Sequence, residues 1–286
     1  EAGADVAIAD WDDAQVDWSQ FDLALLRSPW DYAERLPQFL AWAERTAAAT
    51  RLLNPLDVLR WNVDKHYLAD LARNGVAIVA STFVEPDQLA QNALDAFVAE
   101  LDRSGITEYV IKPCVGAGSR DAQRHARANS DCALAHLKRL LDAGRSALLQ
   151  PYLGRVDEHG ETALIYFDGQ YSHAIRKGPL LRRGDGPTEA LFAAEEITAR
   201  TPSADERALA ATVLAAMPFR QSQLYARVDL IHDDAGAPCL LELELAEPSL
   251  FFAHSPGSAG RFASAVLARA QAASSPLRSQ QTELNV

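Results

Sequence analysis

The 286-residue chain predicts a mixed α/β (α+β) protein with more than one sheet. Three observations predict it. The length suits two or three packed lobes rather than one minimal domain. Strand-like and helix-like pieces alternate through the middle of the chain. The C-terminal half then turns to strands, ending in the paired runs Leu224–His232 and Cys239–Leu245.

Taken in order, the apolar run Asp22–Arg27 reads as a buried strand that breaks at Ser28-Pro29. Leu36–Thr50 has helical spacing, with Phe39, Leu40, Ala43 and Ala47 on one side. Asn54-Pro55 is a turn signal, and Val63–Asn74 reads as a helix closed by Asn74-Gly75, a left-handed stop. Ala77–Phe83 is strand-like, Asp87–Ser104 helical, and Tyr109–Lys112 a strand ending at Pro113. Ser130–Leu141 reads as a helix and Ala147–Tyr152 as a strand. Thr162–Phe167 and Tyr171–Ile175 are strands about a turn at Asp168-Gly169, and Ser203–Ala216 is a helix with a serine cap. Gly260–Ala272 is the last helix, and Ser274–Val286 reads as a loose polar tail.

Composition narrows the partners. A net charge of −12 argues against nucleic acid or an anionic membrane, yet leaves room for a local basic pocket that holds phosphate. No run of eighteen apolar residues occurs, and Glu1–Asp10 lack the basic start and apolar stretch of a signal peptide. Cys114, Cys132 and Cys239 form no CxxC pair, so a reducing cytoplasm is the expected setting.

The most informative piece is the hairpin over Leu224–Leu245. Side chains alternate along a strand, so Arg227 and Asp229 share one face and Val228 and Leu230 the other. On the second strand Glu242 and Glu244 share a face, with Leu241, Leu243 and Leu245 opposite. A symmetric loop at Asp233–Pro238 sets Asp229 across from Glu242, and Arg227 across from Glu244. Two carboxylates about 4 Å apart repel by about 4 kcal/mol at an effective dielectric near 20, and a hard divalent cation would offset that. The alternative is a half-exposed hairpin with solvated acids, and a bulge would spoil the register.

Other pieces are individually plain. YVIKPCVGAGSRD sets Lys112 at a strand end before a loop with Gly116 and Gly118, suited to bringing backbone N–H groups near phosphate. It is neither a P-loop nor a dinucleotide fingerprint, and an ordinary surface loop is the alternative. Lys65 sits early on its helix, Gln150-Pro151 ends a strand, Glu161 starts one, and Arg176 and Lys177 close another.

In this order the pieces resemble the ATP-grasp superfamily, in its glutathione-synthetase-like and ribosomal-modification-ligase-like branch, from about Phe21 to Phe252. The resemblance implies an ATP-grasp fold: residues 1–62 as an N-terminal substrate-side α/β domain, 63–146 as a central lobe, 147–273 as a C-terminal lobe with the metal site, and 274–286 as a flexible tail. It would place a strand and most of a helix before the strand at Asp22, and the sequence shows neither, so that domain reads as truncated at its start. By the resemblance Lys65 and Lys112 hold the nucleotide phosphates and Gly116, Gly118 and Ser119 close over them. Gln150, Tyr152 and Leu153 match the adenine hinge, and Glu161 the acid on the ribose. Arg176 or Lys177 meets the transferred phosphoryl group. Asp229, Glu242 and Glu244 match the magnesium ligands with Arg227 beside them; Glu244 stands where the superfamily often has Asn. The cofactors implied are ATP and Mg2+, as two ions that Mn2+ can replace.

LRSPWDY (Leu26–Tyr32) and ELELAEPSLFF are similar to the narrower O-ureidoserine cyclo-ligase group, which forms D-cycloserine. That similarity implies substrate contacts from Arg27, Ser28 and Asp31; the alternative is a structural turn around Trp30. The implied activity is ATP-dependent activation of a carboxylate on an amino-acid-like small molecule, then attack by an amine, here within the same molecule. An intermolecular ligase and a non-catalytic ATP-binding module stand as alternatives, with a homodimer or higher homo-oligomer left open. A serine hydrolase at Ala253–Gly257 lacks its first glycine and its strand, and the histidines show no HExxH spacing.

Overall fold

The computed structural model describes residues 3–187 and 196–274. The tail predicted after Ser274 lies outside them. The elements run β1 (Leu23–Leu25), α1 (Leu36–Ala49), β2 (Arg51–Leu53), α2 (Leu56–Asn62), α3 (Tyr67–Arg73), β3 (Thr82–Val84), α4 (Ala90–Ser104), β4 (Glu108–Pro113) and β5 (Gln123–Ala126). They continue with α5 (Ser130–Asp142), β6 (Ala147–Pro151), α6 (Val156–His159), β7 (Glu161–Phe167), β8 (Gln170–Lys177), β9 (Ile197–Arg200), α7 (Ala204–Ala216), β10 (Tyr225–His232), β11 (Pro238–Glu244) and α8 (Ser258–Ser274). No helix among the described residues is long and apolar enough to cross a membrane.

Three sheets carry the fold. β1 and β2 pair in parallel, β3-β6-β4-β5 form an antiparallel four-stranded sheet, and β11-β10-β7-β8-β9 an antiparallel five-stranded one. Each sheet gains a core by burying one face under helices. α4 and α5 supply Leu94, Phe97, Leu137 and Leu140 against Tyr109 and Ile111 of β4. α7 sets Ala210 and Val213 against Val228 and Leu230 of β10, the apolar face expected for that strand. α7 itself starts on a full capping box, with Ser203 and Glu206 satisfying each other's backbone N–H.

Several sequence expectations are corrected. The helix expected from Val63 begins only at Tyr67, and a separate helix, α2, precedes it. Lys65 therefore lies in the turn between helices, where its N–H donates to the Cys114 carbonyl at 3.0 Å. The strand expected over Ala77–Phe83 is two short pairings: Ile78 bridges Leu240 of β11, while Thr82–Val84 joins the other sheet. On α1 the buried side is Phe39, Trp42, Ala43 and Thr46, and Ala47 is exposed, because Trp42 packs with Trp11 and Trp18.

β11 is the last strand of its sheet; beyond the bridge at Leu240, its outward backbone groups are satisfied by side chains of the segment that leads from β2 into α3. Asn62 donates to Leu243 O (2.7 Å) and accepts from Leu245 N (2.6 Å), while Leu243 N donates to the Tyr67 hydroxyl (2.9 Å). Buried Asn54 donates to Leu245 O (2.7 Å) and Tyr225 O (2.9 Å) and accepts from Leu224 N (2.8 Å). This clamp fixes which way the acids of β11 point.

Candidate active site

β10 and β11 pair with Arg227 opposite Glu244 and Asp229 opposite Glu242, the register expected from the sequence. The route to it differs. His232 pairs with Pro238 and Leu230 with Leu240, so the loop is one residue shorter than the symmetric one, and a bulge between Asp229 and Leu230 restores the acid pairing. Leu241 is the extra residue. It lines the cavity and packs against Val79, Ile231 and Cys239, whereas Leu243 joins the core with Val228.

The acids face a cavity of about 470 Å³ between the four- and five-stranded sheets. The four-stranded side contributes Lys112 and Gln150, and the five-stranded side Glu161, Lys177, Arg227, Asp229, Glu242 and Glu244. The repulsion expected between the carboxylates is offset here by protein cations. Lys65 Nζ lies 3.0 Å from Glu242, Lys177 Nζ is 2.8 Å from Asp229 and also pairs with Glu161, and Arg227 bridges Asp229 (2.8 Å) and Glu244.

Protonation follows from burial against these pairings. Burial pushes Glu161 and Glu244 up to about 8, against Lys177 and Arg227 respectively. Burial also acts on Asp229 and Glu242, but Arg227 and Lys177 hold the first down, and Lys65 and Lys112 the second. Burial pulls Lys112 below the usual lysine range despite Glu242, whereas Glu242 outweighs burial and holds Lys65 up. The donor set fits a hard cation: three carboxylates from neighbouring strands converge on the one cavity.

The remaining predicted residues divide. Gly116, Gly118 and Ser119 line the cavity in a loop where Gly118 and Ser119 have φ of 62° and 60°, and Gly116 O accepts from Lys65 at 3.2 Å. Gln150, Tyr152 and Leu153 line it too, with Gln150 held by Ser81 at 2.9 Å and the Tyr152 ring covered by Arg124. Lys177 and Arg176 part company. Lys177 pairs across the sheet with Glu161 and enters the cavity, while Arg176 turns away to donate to the carbonyls of His159 (2.9 Å) and Glu158 (3.1 Å). Gly160 makes this crossing possible, since a Cβ there would lie 2.5 Å from Lys177 O.

At the N-terminal segment the residues expected to meet substrate make local contacts. Ser28 is exposed at φ 57°, and Asp31 accepts from Trp11 (2.9 Å) and pairs with Arg35 (3.2 Å), so both serve the local turn. Arg27 donates to Pro248 O at 2.9 Å and keeps a buried Nη1 without a partner, but it does not line the cavity. Trp30 and Tyr32 do. Sequence reasoning also missed Glu247, which is 8 % exposed, lines the cavity, shares a hydrogen bond with Tyr32 and is pushed up to about 7 by burial. Its signal was available: a third acid after ELEL, just past the strand end and before Pro248.

Two sheets that clasp a cavity lined by lysines, an arginine and carboxylates have the arrangement of an ATP-grasp ligase, and solved structures share the fold. PsnB, an ATP-grasp ligase solved with minimal precursor, Mg and ADP, aligns with a TM-score of 0.57 at 18% identity over 87% of this chain and 78% of that one. D-alanine–D-alanine ligase from Bacillus anthracis, complexed with ATP, aligns at 0.57 and 17% over 88% and 80%. The crystal structure of D-cycloserine synthetase DcsG is far nearer: TM-score 0.87 and 42% identity over 94% of this chain and 91% of that one. The cycloserine biosynthesis protein DcsG of Streptomyces lavendulae is 43% identical over 271 residues, 93% of this chain and 89% of the relative. The family model for the D-cycloserine synthetase DcsG N-terminal domain matches residues 1–54. The chain belongs to the D-cycloserine synthetase family of ATP-grasp ligases, and its class is that of an ATP-dependent ligase forming a C–N bond.

Proposed function

We propose that the enzyme uses ATP to close O-ureido-D-serine into D-cycloserine. One observation carries this reading: the paired acids of β10 and β11 face Lys65 and Lys112 in a single cavity, in a chain 43% identical to a cycloserine biosynthesis protein. The lobes 1–62, 63–146 and 147–273 clasp the nucleotide. Lys65 and Lys112 hold its phosphates, with Gly116, Gly118 and Ser119 folding over them. Gln150, Tyr152 and Leu153 receive the adenine and Glu161 the ribose. Asp229, Glu242 and Glu244 would hold Mg2+, as two ions exchangeable for Mn2+, which when bound neutralises charge on the phosphates.

Arg227, which lines the cavity between Asp229 and Glu244, is the group that would meet the transferred phosphoryl group. Lys177, rather than Arg176, is the second basic group there, because it alone of the two enters the cavity. The substrate carboxylate takes the γ-phosphoryl group, and an internal ureido nitrogen attacks the resulting acyl phosphate. Phosphate leaves as the ring closes, and water releases the carbamoyl group as ammonia and carbon dioxide. The protein's part is positioning and electrostatic stabilisation. The reaction belongs to the cytoplasm, where ATP and Mg2+ are supplied.

The test is ADP release with Mg2+ present, screened across O-ureido-D-serine, amino acids and small peptides, with the ring product followed by mass. Release with the ureido compound and equal formation of D-cycloserine supports the reading. Release only with pairs of amino acids assigns an intermolecular ligase, and none with any substrate leaves an ATP-binding module.

A further inference from the structure

Each acid of the metal and nucleotide region has a basic partner: Glu161 and Asp229 share Lys177, Glu242 has Lys65, and Glu244 has Arg227. Glu247 has no Lys or Arg within ion-pair distance among the described residues, and its one side-chain hydrogen bond comes from the neutral hydroxyl of Tyr32. It is nevertheless inside the cavity and almost fully buried. With no ion pair of its own, and only the more distant charges of Lys65 and Arg227 acting on it, this carboxyl is the acid of the cavity left open to a positive group on a ligand. Tyr32 adjoins it, and Trp30 and Phe251 line the same cavity, the Phe251 ring lying under the Arg227 guanidinium. A carboxylate and aromatic rings in one cavity favour an ammonium group over a second carboxylate.

We infer that Glu247, held by Tyr32 in a cavity that Trp30 also lines, receives the α-ammonium group of the amino-acid substrate. The inference rests on the proposed ligase reading and deepens it by naming the group that makes an amino acid, rather than any carboxylic acid, the substrate. Binding the ammonium here leaves the substrate carboxylate free to reach the phosphoryl group in the same cavity. Tyr32 acts as a positioning residue, since its hydroxyl orients the carboxylate.

The experiment compares O-ureido-D-serine with its analogue lacking the amino group, 3-(ureidooxy)propanoate, by ADP release at saturating ATP and Mg2+. Wild type prefers the amine-bearing compound in kcat/KM by about 30-fold, the scale of one charge-assisted hydrogen bond in a buried site. In Glu247→Gln that preference falls to within about threefold, chiefly through KM for the amine-bearing compound. Glu247→Asp recovers part of it, and Tyr32→Phe shows a partial loss. Retained preference in Glu247→Gln overturns the inference. So does an equal fall with both compounds, which marks a structural role, or a fall in kcat with preference intact, which marks a general base. Should Glu247→Gln fail to fold, Tyr32→Phe and Glu247→Asp take its place in the same comparison, and a preference unchanged in both overturns the inference. Absence of ADP release by wild type with every amino-acid substrate instead removes the ligase reading on which the inference stands.

Discussion

Lys177→Met separates the role of protein cations from that of the metal. Lys177 Nζ lies 2.8 Å from Asp229, pairs also with Glu161, and is only 12 % exposed. At that separation and an effective dielectric near 20, the gross attraction to one carboxylate is about 6 kcal/mol, most of it offset by the cost of desolvating both groups. Breaking a buried pair costs about 3–5 kcal/mol. Asp229 keeps two bonds to Arg227 at 2.8 Å, so the lower end applies, about 3 kcal/mol. For a chain of this size that is a fall in Tm of about 6–12 °C. Mg2+ with a non-hydrolysable ATP analogue supplies replacement positive charge to the acids, so the fall should shrink to less than half. Thermal unfolding of wild type and variant, with and without that ligand pair, reads both numbers. A fall below about 2 °C, or the same fall in both conditions, would show that Lys177 does not offset the charge of these acids.

Glu242→Gln and Lys112→Met should each cut ATP turnover by about 10²-fold or more while circular dichroism stays native, because each removes a charge aimed at the phosphates or their metal. Arg176→Ala, whose guanidinium holds loop carbonyls outside the cavity, should keep turnover within about threefold, against a loss of about 10²-fold in Lys177→Met; equal losses would contradict their separation. The carboxyls of Glu161 and Glu244, up to about 8, and Glu247, up to about 7, are raised from 4.5. Their contribution therefore favours folding below pH 4.5 and is lost as pH climbs through 7 to 8. Ligand-free stability should decline over that window, and calorimetry of Mg2+-nucleotide binding in buffers of different ionisation heat should show about one proton released at pH 7. Asn62→Ala strips the partners of Leu243 O and Leu245 N and should cost about 2–4 kcal/mol in denaturant unfolding.

The hairpin was legible because a period of two fixes which side chains share a face, whatever the loop does. The bulge at Leu241 was not, since loop length and bulge shift the register in opposite directions and cancel at Asp229 and Glu242. The choice between Arg176 and Lys177 could have been made by the same period, because Lys177 lies across from Glu161 and Arg176 across from Thr162. Short strands such as β2 and β5 carry too few residues, or too many polar ones, to show a pattern: Arg51–Leu53 has three residues, and Gln123–Ala126 reads QRHA. Lys65 was placed on a helix since its neighbours have helical spacing, but the long-range bond from its N–H to Cys114 O ends that continuity. In the turn after β1, where Ser28 has positive φ, alternation breaks, and Trp30 and Tyr32 rather than Ser28 and Asp31 line the cavity.

A crystal structure with magnesium and a non-hydrolysable ATP analogue reads the central arrangement directly. The expected result is an ion about 2.0–2.1 Å from oxygens of Asp229 and Glu242, bridging phosphates that Lys65 and Lys112 contact, with Arg227 released from Glu244. An ion held elsewhere, with these carboxylates still paired to Lys65, Lys177 and Arg227, would contradict it.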